Sequence, residues 1–433
     1  MAAKKERTVE ELYRDDPERA DAEVFGRRGR ERGLAAGSER AMAAAAGGRV
    51  ARPETVPAGL VPRGVAPTCP LAGKTPGLIL LQETPLVAET PEHLLDDETT
   101  PTGRFFLRNN GLAPPALADP DAHAFVVDGE VHAPLRLTVG ELKSRFRAVT
   151  YRLQMECGGN GRAFHMPAAR GNPWGNGAIG CAEWTGVPLA DVLATAGLKD
   201  TAVHTGHYGF DRPATGDPAR PSISRGVPIA KAMERHTLVA FAMNGEPLPH
   251  AHGGPVRLVV PGWPGSVSHK WLTRIWVRDR VHDGPGMGGT SYRVPTVPVP
   301  PGAEADGRSG FVDLASMPVR SILTSHASGT RLPAGRSSLH LRGAAWAGEN
   351  DIGIVEVSAD FGLSWTAMRL SPARNRYDWR RWSGAIRLVG EGYHEIWTRA
   401  TDTAGNVQPL RAAGWNPQGY GCNAIQRVAV LVG

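Results

Sequence analysis

The octapeptide Met155-Glu156-Cys157-Gly158-Gly159-Asn160-Gly161-Arg162 carries the residue types best suited to chemistry in this chain. Leu153 and Met155 alternate with Arg152, Gln154 and Glu156, the two-residue period of a half-buried strand. Gly158, Gly159 and Gly161 then free the backbone to turn sharply and to approach something bulky. A thiolate at such a turn can ligate a soft metal, with exposed backbone N–H groups holding the far side of the ligand. The same eight residues also read as a strand-ending glycine turn with a buried structural cysteine, since cysteine is among the most buried residue types.

The other three cysteines, Cys69, Cys181 and Cys422, form no zinc-ribbon or finger spacing with Cys157. No Cys-x-x-Cys or Cys-x-x-Cys-His occurs, which excludes covalent c-type haem on these residues. The net charge of +6 comes mainly from arginines spread along the chain. That distribution fits solubility and local anion sites rather than a nucleic-acid surface. Arginine also suits planar oxyanions, because its fork donates two parallel hydrogen bonds.

The elements that must position these residues fall into three segments of the 433-residue chain. Residues 1–75 are rich in Ala, Arg, Glu, Gly and Pro and are expected to be flexible. Arg27-Arg28 ahead of two Ala-rich runs has the order of a twin-arginine export signal, which favours the periplasm. Glu39 and Arg40 split that apolar region, so an Ala-rich helical tail of a cytoplasmic protein is the competing reading. No apolar run is long enough to span a bilayer.

Residues 76–305 mix strands with short helices. Strand and turn are expected at 124–131, helices at 137–146, 189–196 and 228–234, and a strand at 256–260 stopped by Pro261-Gly262. Without regular alternation, this indicates an α+β fold. The Pro/Gly/Ala-rich stretch 295–306 marks a linker. Residues 306–433 then carry short strand-like runs at 338–342, 352–358, 365–370, 382–388, 392–400 and 424–432, the spacing of an immunoglobulin-like β-sandwich.

Five motifs in order give the chain a relative. Arg108 in Phe105-Phe106-Leu107-Arg108-Asn109-Asn110, the Cys157 segment, Arg257 to Gly262, Lys270-Trp271-Leu272 and Trp415 to Tyr420 together resemble the sulfite oxidase family. The resemblance spans roughly residues 80–433. It implies a molybdopterin-binding domain followed by an immunoglobulin-like dimerisation domain, and a homodimer. It implies a molybdenum–molybdopterin cofactor, with Cys157 as the metal ligand and Cys181 as a structural cysteine. Arg108 and Arg162 would line the substrate pocket, Trp174 would wall it, and Tyr292 would hydrogen-bond substrate. Phe106, Leu107, Arg108, Asn109, Asn110, Asp211, His252, Arg257, Ser268, His269 and Lys270 would hold the pterin and its phosphate.

The implied activity is oxidation of sulfite to sulfate, with electrons passing one at a time to an external acceptor such as a cytochrome c. No cytochrome b5-like His-Pro-Gly-Gly segment occurs, so the acceptor is expected on another protein. Two positions depart from the animal and plant pattern. Asn110 stands where those enzymes have histidine, and Gln418 where they have a third pocket arginine. Gln418 leaves room for another sulfur compound, through a sulfoxide reductase or a sulfur-intermediate dehydrogenase. Arg170, Arg212 and Arg225 are the candidates to replace the missing charge. A cofactor-free immunoglobulin-like binding protein is the reading from another class, and such a module has no need of Cys157, Arg108, Arg257 and Lys270 together.

Overall fold

A computed structural model describes residues 71, 73–215, 217–302 and 310–433. The Arg27-Arg28 region, Cys69 and the expected boundary at 305 lie outside the described residues. No helix among those described is long and apolar enough to cross a membrane.

The strand Val149–Glu156 pairs antiparallel with Ile179–Pro188, which pairs in turn with Leu238–Met243. Arg257–Val259 and Glu246–Pro247 both pair with Leu238–Met243 and complete this sheet. A second sheet runs in the order Leu135–Thr138, Ala124–Gly129, Leu272–Arg278, His204–Gly209. A three-stranded sheet of Ile79–Gln82, Val87–Glu89 and Leu107–Arg108 brings Arg108 toward the Cys157 end of the first sheet. Few helices interrupt these sheets. Val139–Arg145 starts at Thr138, whose hydroxyl accepts from Glu141 N while the Glu141 carboxylate accepts from Thr138 N. This capping box satisfies two otherwise orphaned donors. Leu189–Ala196 buries Leu189, Val192, Leu193 and Ala196, one face of a helix. The helix expected at 228–234 is only the single turn Ile229–Ala232.

The C-terminal half is a sandwich. One sheet has the order Arg320–Leu323, Ser338–Trp346, Arg380–Arg387, Arg369–Leu370. The other has the order Thr330–Leu332, Gln426–Val432, Gly392–Asp402, Ile352–Ser358, Thr366–Ala367. The run 365–370 is therefore two strands rather than one. Thr366–Ala367 joins one sheet and Arg369–Leu370 the other, and Met368 between them is buried in the sandwich core.

The strand Val149–Glu156 differs from expectation in one respect. Its polar face is buried too: Arg152, Gln154 and Glu156 are all enclosed. That face packs on the C-terminal half. Arg152 donates twice to Asp378, at 2.7 and 2.6 Å, and Gln154 N donates to Tyr377 O. The Glu156 carboxylate accepts from Trp346 Nε1 at 2.7 Å. The polar alternation thus marks a protein–protein face inside one chain, where buried charges need partners.

Candidate functional site

Cys157 follows the last residue of its strand and is 9 % exposed. Its N–H donates to Ala178 O, and its carbonyl accepts from Asn160 N, which closes the turn. Gly161 takes φ 82°. Gly158 lets the rings of Tyr292 and Tyr420 pack against the backbone; a Cβ there would lie 3.3 and 3.6 Å from them. Gly159 lies under the folded-back guanidinium of Arg162.

Two cavities meet at this turn, and Arg108, Cys157 and Tyr292 line both. The inner one is lined by Phe105, Phe106, Asn110, Met155, Asp211, Ile223, His252, Arg257, Ser266, Ser268, His269, Lys270 and Trp271 as well. Its cations are dry. Arg257 is 4 % exposed and donates to His252 O at 2.7 Å and Ser268 O at 2.8 Å, with Met155 Sδ at 3.3 Å. Burial lowers its pKa to about 9. Lys270 donates to Asn109 Oδ1 and Ala251 O. Burial first, then the charge of Arg257, hold its pKa well below the usual lysine range. Among the described residues Asp211 is the one acid lining this cavity, and burial raises its own pKa. His269 is held by Ile223 O through Nε2, while its buried Nδ1 has no partner.

Lys74, from the segment expected to be flexible, packs behind two lining residues, Phe105 and His252. Its ammonium donates to Thr102 O at 2.8 Å and Phe105 O at 2.7 Å, and lies 2.6 Å from His252 Nε2. Burial lowers its pKa to about 7. A cavity with this excess of buried cations fits an anion-bearing, hydrogen-bonding cofactor, because an unpaired charge in a dry site is costly until an opposite charge arrives.

The outer cavity has a volume of about 710 Å³ and adds Gln82, Arg162, Arg170, Asn172, Thr290, Trp415, Gln418 and Tyr420 to its lining. Arg162 is aimed by backbone: Nε donates to Gln418 O at 2.7 Å and Nη1 to Asn172 O at 2.9 Å. Tyr292, at φ 51°, stacks on Tyr420 with ring centroids 4.6 Å apart. Arg225 lies over the Tyr292 ring at 4.3 Å, and Arg162 over Tyr420 at 5.2 Å. Gln418 Nε2 donates to Thr290 Oγ1 at 2.6 Å. Of the three candidate replacement arginines, Arg170 lines this cavity. Arg225 is buried beneath Tyr292, and Arg212 pairs with the backbone of Leu112.

The structure therefore gathers Cys157, Arg108, Arg162 and Tyr292 with Phe106, Asn110, Asp211, His252, Arg257, Ser268, His269 and Lys270. Two residues fall elsewhere, and one acts indirectly. Trp174 is fully buried and does not wall the pocket; it packs edge-on to Phe106 at 6.0 Å, where a large indole joins the core. Leu107 points away from the cavity, into a cluster with Leu78 and Ala88, because neighbours on a strand face opposite sides. Asn109 touches the cavity through Lys270. Lys74 and Ile223 were not visible from local sequence, since each is brought in by a distant loop, whereas Ser266 and Thr290 lie two residues from the expected Ser268 and Tyr292 and were missed beside them. Cys181 lies in the core beside Asp378, and burial raises its thiol pKa well above the usual value.

Comparison with known proteins follows this division. The family described as oxidoreductase molybdopterin binding domain matches residues 111–285, and the Mo-co oxidoreductase dimerisation domain matches residues 313–433. Sulfite oxidase of Gallus gallus is 33 % identical over 373 residues, 83 % of this chain and 79 % of that one. The chain belongs to the sulfite oxidase family. The mitochondrial sulfite oxidase of Homo sapiens is 33 % identical over 383 residues, 82 % of this chain and 66 % of that protein. Among solved structures, the sulfane dehydrogenase SoxCD of Paracoccus pantotrophus is similar with a TM-score of 0.67 and 29 % identity, covering 80 % of this chain and 85 % of that one.

As a member of the sulfite oxidase family the chain is a molybdenum–molybdopterin oxidoreductase with an α+β cofactor-binding half, and its sandwich is the family's dimerisation domain. The lining of the inner cavity fits that cofactor: Arg257 and Lys270 would offer charge for its phosphate, and Asp211, Ser268 and His269 hydrogen bonds to its ring. Cys157 would offer the thiolate that suits a soft metal.

Proposed function

We propose that this enzyme oxidises a small sulfur oxyanion, sulfite first, in the outer cavity above Cys157 and passes the electrons to a one-electron carrier of the cytochrome c kind. The observation that carries this is the outer cavity itself. Three arginines line it, Arg108, Arg162 and Arg170, with no acid among the described lining residues. Such a wall suits a dianion, whose attraction to fixed cations is stronger in a partly dry site than in water. When bound, the molybdenum cofactor supplies oxygen-atom transfer and takes up two electrons. Arg108 and Arg162 hold the oxyanion against it. Arg162 loses little orientation in doing so, because Gln418 O and Asn172 O already fix its guanidinium. Tyr292 caps the junction of the two cavities and offers its hydroxyl as a hydrogen-bond donor.

A second reading, a sulfur-intermediate dehydrogenase, is favoured by Gln418. Its amide is neutral and turned onto Thr290, so the cavity carries no charge at that point and admits a larger or less charged sulfur compound. Parallel assays separate the two. Sulfite-dependent reduction of cytochrome c and of ferricyanide is expected. Turnover with thiosulfate or a sulfane-bearing thiol and none with sulfite would overturn the first reading in favour of the second. Reduction of nitrate or a sulfoxide by the chemically reduced enzyme, with no oxidation of any of these sulfur compounds, would overturn both.

A further inference from the structure

The Cys157 turn is held from one side by its own strand and loop, and from the other by the dimerisation half. Arg320, 1 % exposed, reaches it from the first strand of the sandwich. Its Nη1 donates to Asn160 O at 3.1 Å and to Cys422 O; its Nη2 donates to Asn176 Oδ1 at 2.6 Å. Its Nε lies 3.5 Å from Glu156 Oε1. The same Glu156 oxygen accepts from Asn160 Nδ2 at 2.8 Å, and Trp346 Nε1 binds the other oxygen. Asn160 Oδ1 then accepts from Ala178 N at 3.1 Å, and Ala178 O holds Cys157 N. Two hydrogen bonds, Asn160 to Glu156 and Arg320 to Asn160, and the Arg320–Glu156 ion pair thus link the three residues around the Cys157 turn. Gly161 shows how tightly the guanidinium fits: a Cβ there would stand 3.0 Å from Arg320 Nη1 and 3.0 Å from Cys422 O.

We propose that Arg320 is a positioning residue for Cys157: its planar fork, supplied by the dimerisation half, fixes the Cys157–Asn160 turn and so sets where the thiolate stands. The fork matters more than the charge. Three acceptors lie in directions that guanidinium N–H groups match and a single ammonium cannot. A residue that sets geometry at the reacting centre has leverage, since a displacement of about 1 Å can cost on the order of 100-fold in rate. This inference rests on Cys157 as the cofactor's ligand.

The test uses the full chain as Arg320→Lys, Arg320→Gln and Asn176→Ala. In cofactor-free protein, alkylation of Cys157 by iodoacetamide is followed by peptide mass spectrometry, with Cys181 as an internal control. The proposal expects Cys157 to react at least about tenfold faster or slower in all three variants, with the rate at Cys181 unchanged, because only the turn has moved. In loaded protein it expects shifted Mo(V) electron paramagnetic resonance g-values and a fall in kcat larger than the change in KM. Should Arg320 variants fail to fold by circular dichroism, Asn176→Ala carries the test, since it removes one acceptor of the fork without touching the sandwich or the turn. Native alkylation rates and g-values in Arg320→Gln, or in Asn176→Ala where Arg320→Gln does not fold, or full recovery of both in Arg320→Lys, would overturn the proposal. Cys157→Ser that kept normal turnover would instead overturn the ligand assignment, while the alkylation result on cofactor-free protein would stand.

Discussion

In the inner cavity Arg257 and Lys270 sit in dry surroundings and donate to carbonyl and amide oxygens, with Asp211 as the lining acid. In the outer cavity Arg162 is also held by carbonyls, yet it lies on a space of about 710 Å³ and against a tyrosine face. The two sets of cations meet different demands. Those inside await a ligand that stays, so burial can hold their pKa values down until its charge restores them. Those outside must bind an anion and release the product: Arg162, itself only 7 % exposed, is held for this by backbone carbonyls and faces a tyrosine ring at the edge of open space. The difference teaches that the two sets are distinguished by the space they face rather than by burial, with Cys157 at the boundary.

The largest effect that would break this comparison lies at the boundary. Cys157→Ser is expected to abolish turnover, measured as substrate-dependent ferricyanide reduction. Normal turnover in that variant would remove Cys157 from the centre.

Next comes the cost of the inner cations. In the cofactor-free chain burial pushes the pKa of folded Lys74 down to about 7, against 10.5 unfolded, and lowers that of Arg257 as well. Between pH 7 and 10.5 the unfolded chain therefore binds more protons than the folded chain, so stability is expected to rise with pH in that window. Cofactor should flatten the rise, because its negative charge keeps these groups protonated in the folded state. Thermal midpoints against pH for cofactor-free and loaded protein test this. Lys74→Met should reduce the slope of the cofactor-free protein alone; parallel slopes in all three proteins would show that the inner cations do not face the cofactor.

The outer arginines should act on substrate rather than on cofactor. Removing a charge that contacts a bound anion in a partly buried site costs on the order of 2–5 kcal/mol. Arg108→Gln or Arg162→Gln is expected to lower kcat/KM for sulfite at least about tenfold. Molybdenum content should hold in Arg162→Gln, since Arg162 lines only the outer cavity, and this variant is the reference for Arg108→Gln, since Arg108 lines both. Unchanged kinetics in both variants would take the arginines out of the pocket.

The smallest expected effect is at Gln418. Its carbonyl orients Arg162 whatever the side chain, so Gln418→Arg adds charge without removing that contact, at the loss of the Thr290 hydrogen bond. KM for sulfite should fall a few-fold and inhibition by sulfate should increase, since a more cationic rim also holds product. Identical KM and identical sulfate inhibition would show that position 418 does not face the substrate.

Much of the scaffold was legible because it depends on short-range pattern. Thr138 and Glu141 three residues apart specify a helix start, and the apolar face of 189–196 specifies a helix, whatever surrounds them. The run 365–370 was misjudged because its composition suits a strand throughout, and only the sandwich decides that Met368 turns inward while its two sides join different sheets. The site was legible through resemblance more than through local physics. Trp174 shows the limit: its place in the order of motifs is clear, yet its depth is set by Phe105 and Phe106 from a distant segment.

By itself, then, the sequence determined the periodic elements, the two-part division of the chain and the glycine turn that presents Cys157. These follow from side-chain spacing and backbone freedom, which act over a few residues. Tertiary structure alone decided that the polar face of Val149–Glu156 is an interface, that Lys74 packs on His252 behind the inner cavity, and that Arg320 reaches the Cys157 turn from 163 residues away. Long-range packing brings such groups together, and burial then fixes their charges and partners; no spacing in the chain encodes which loop will arrive.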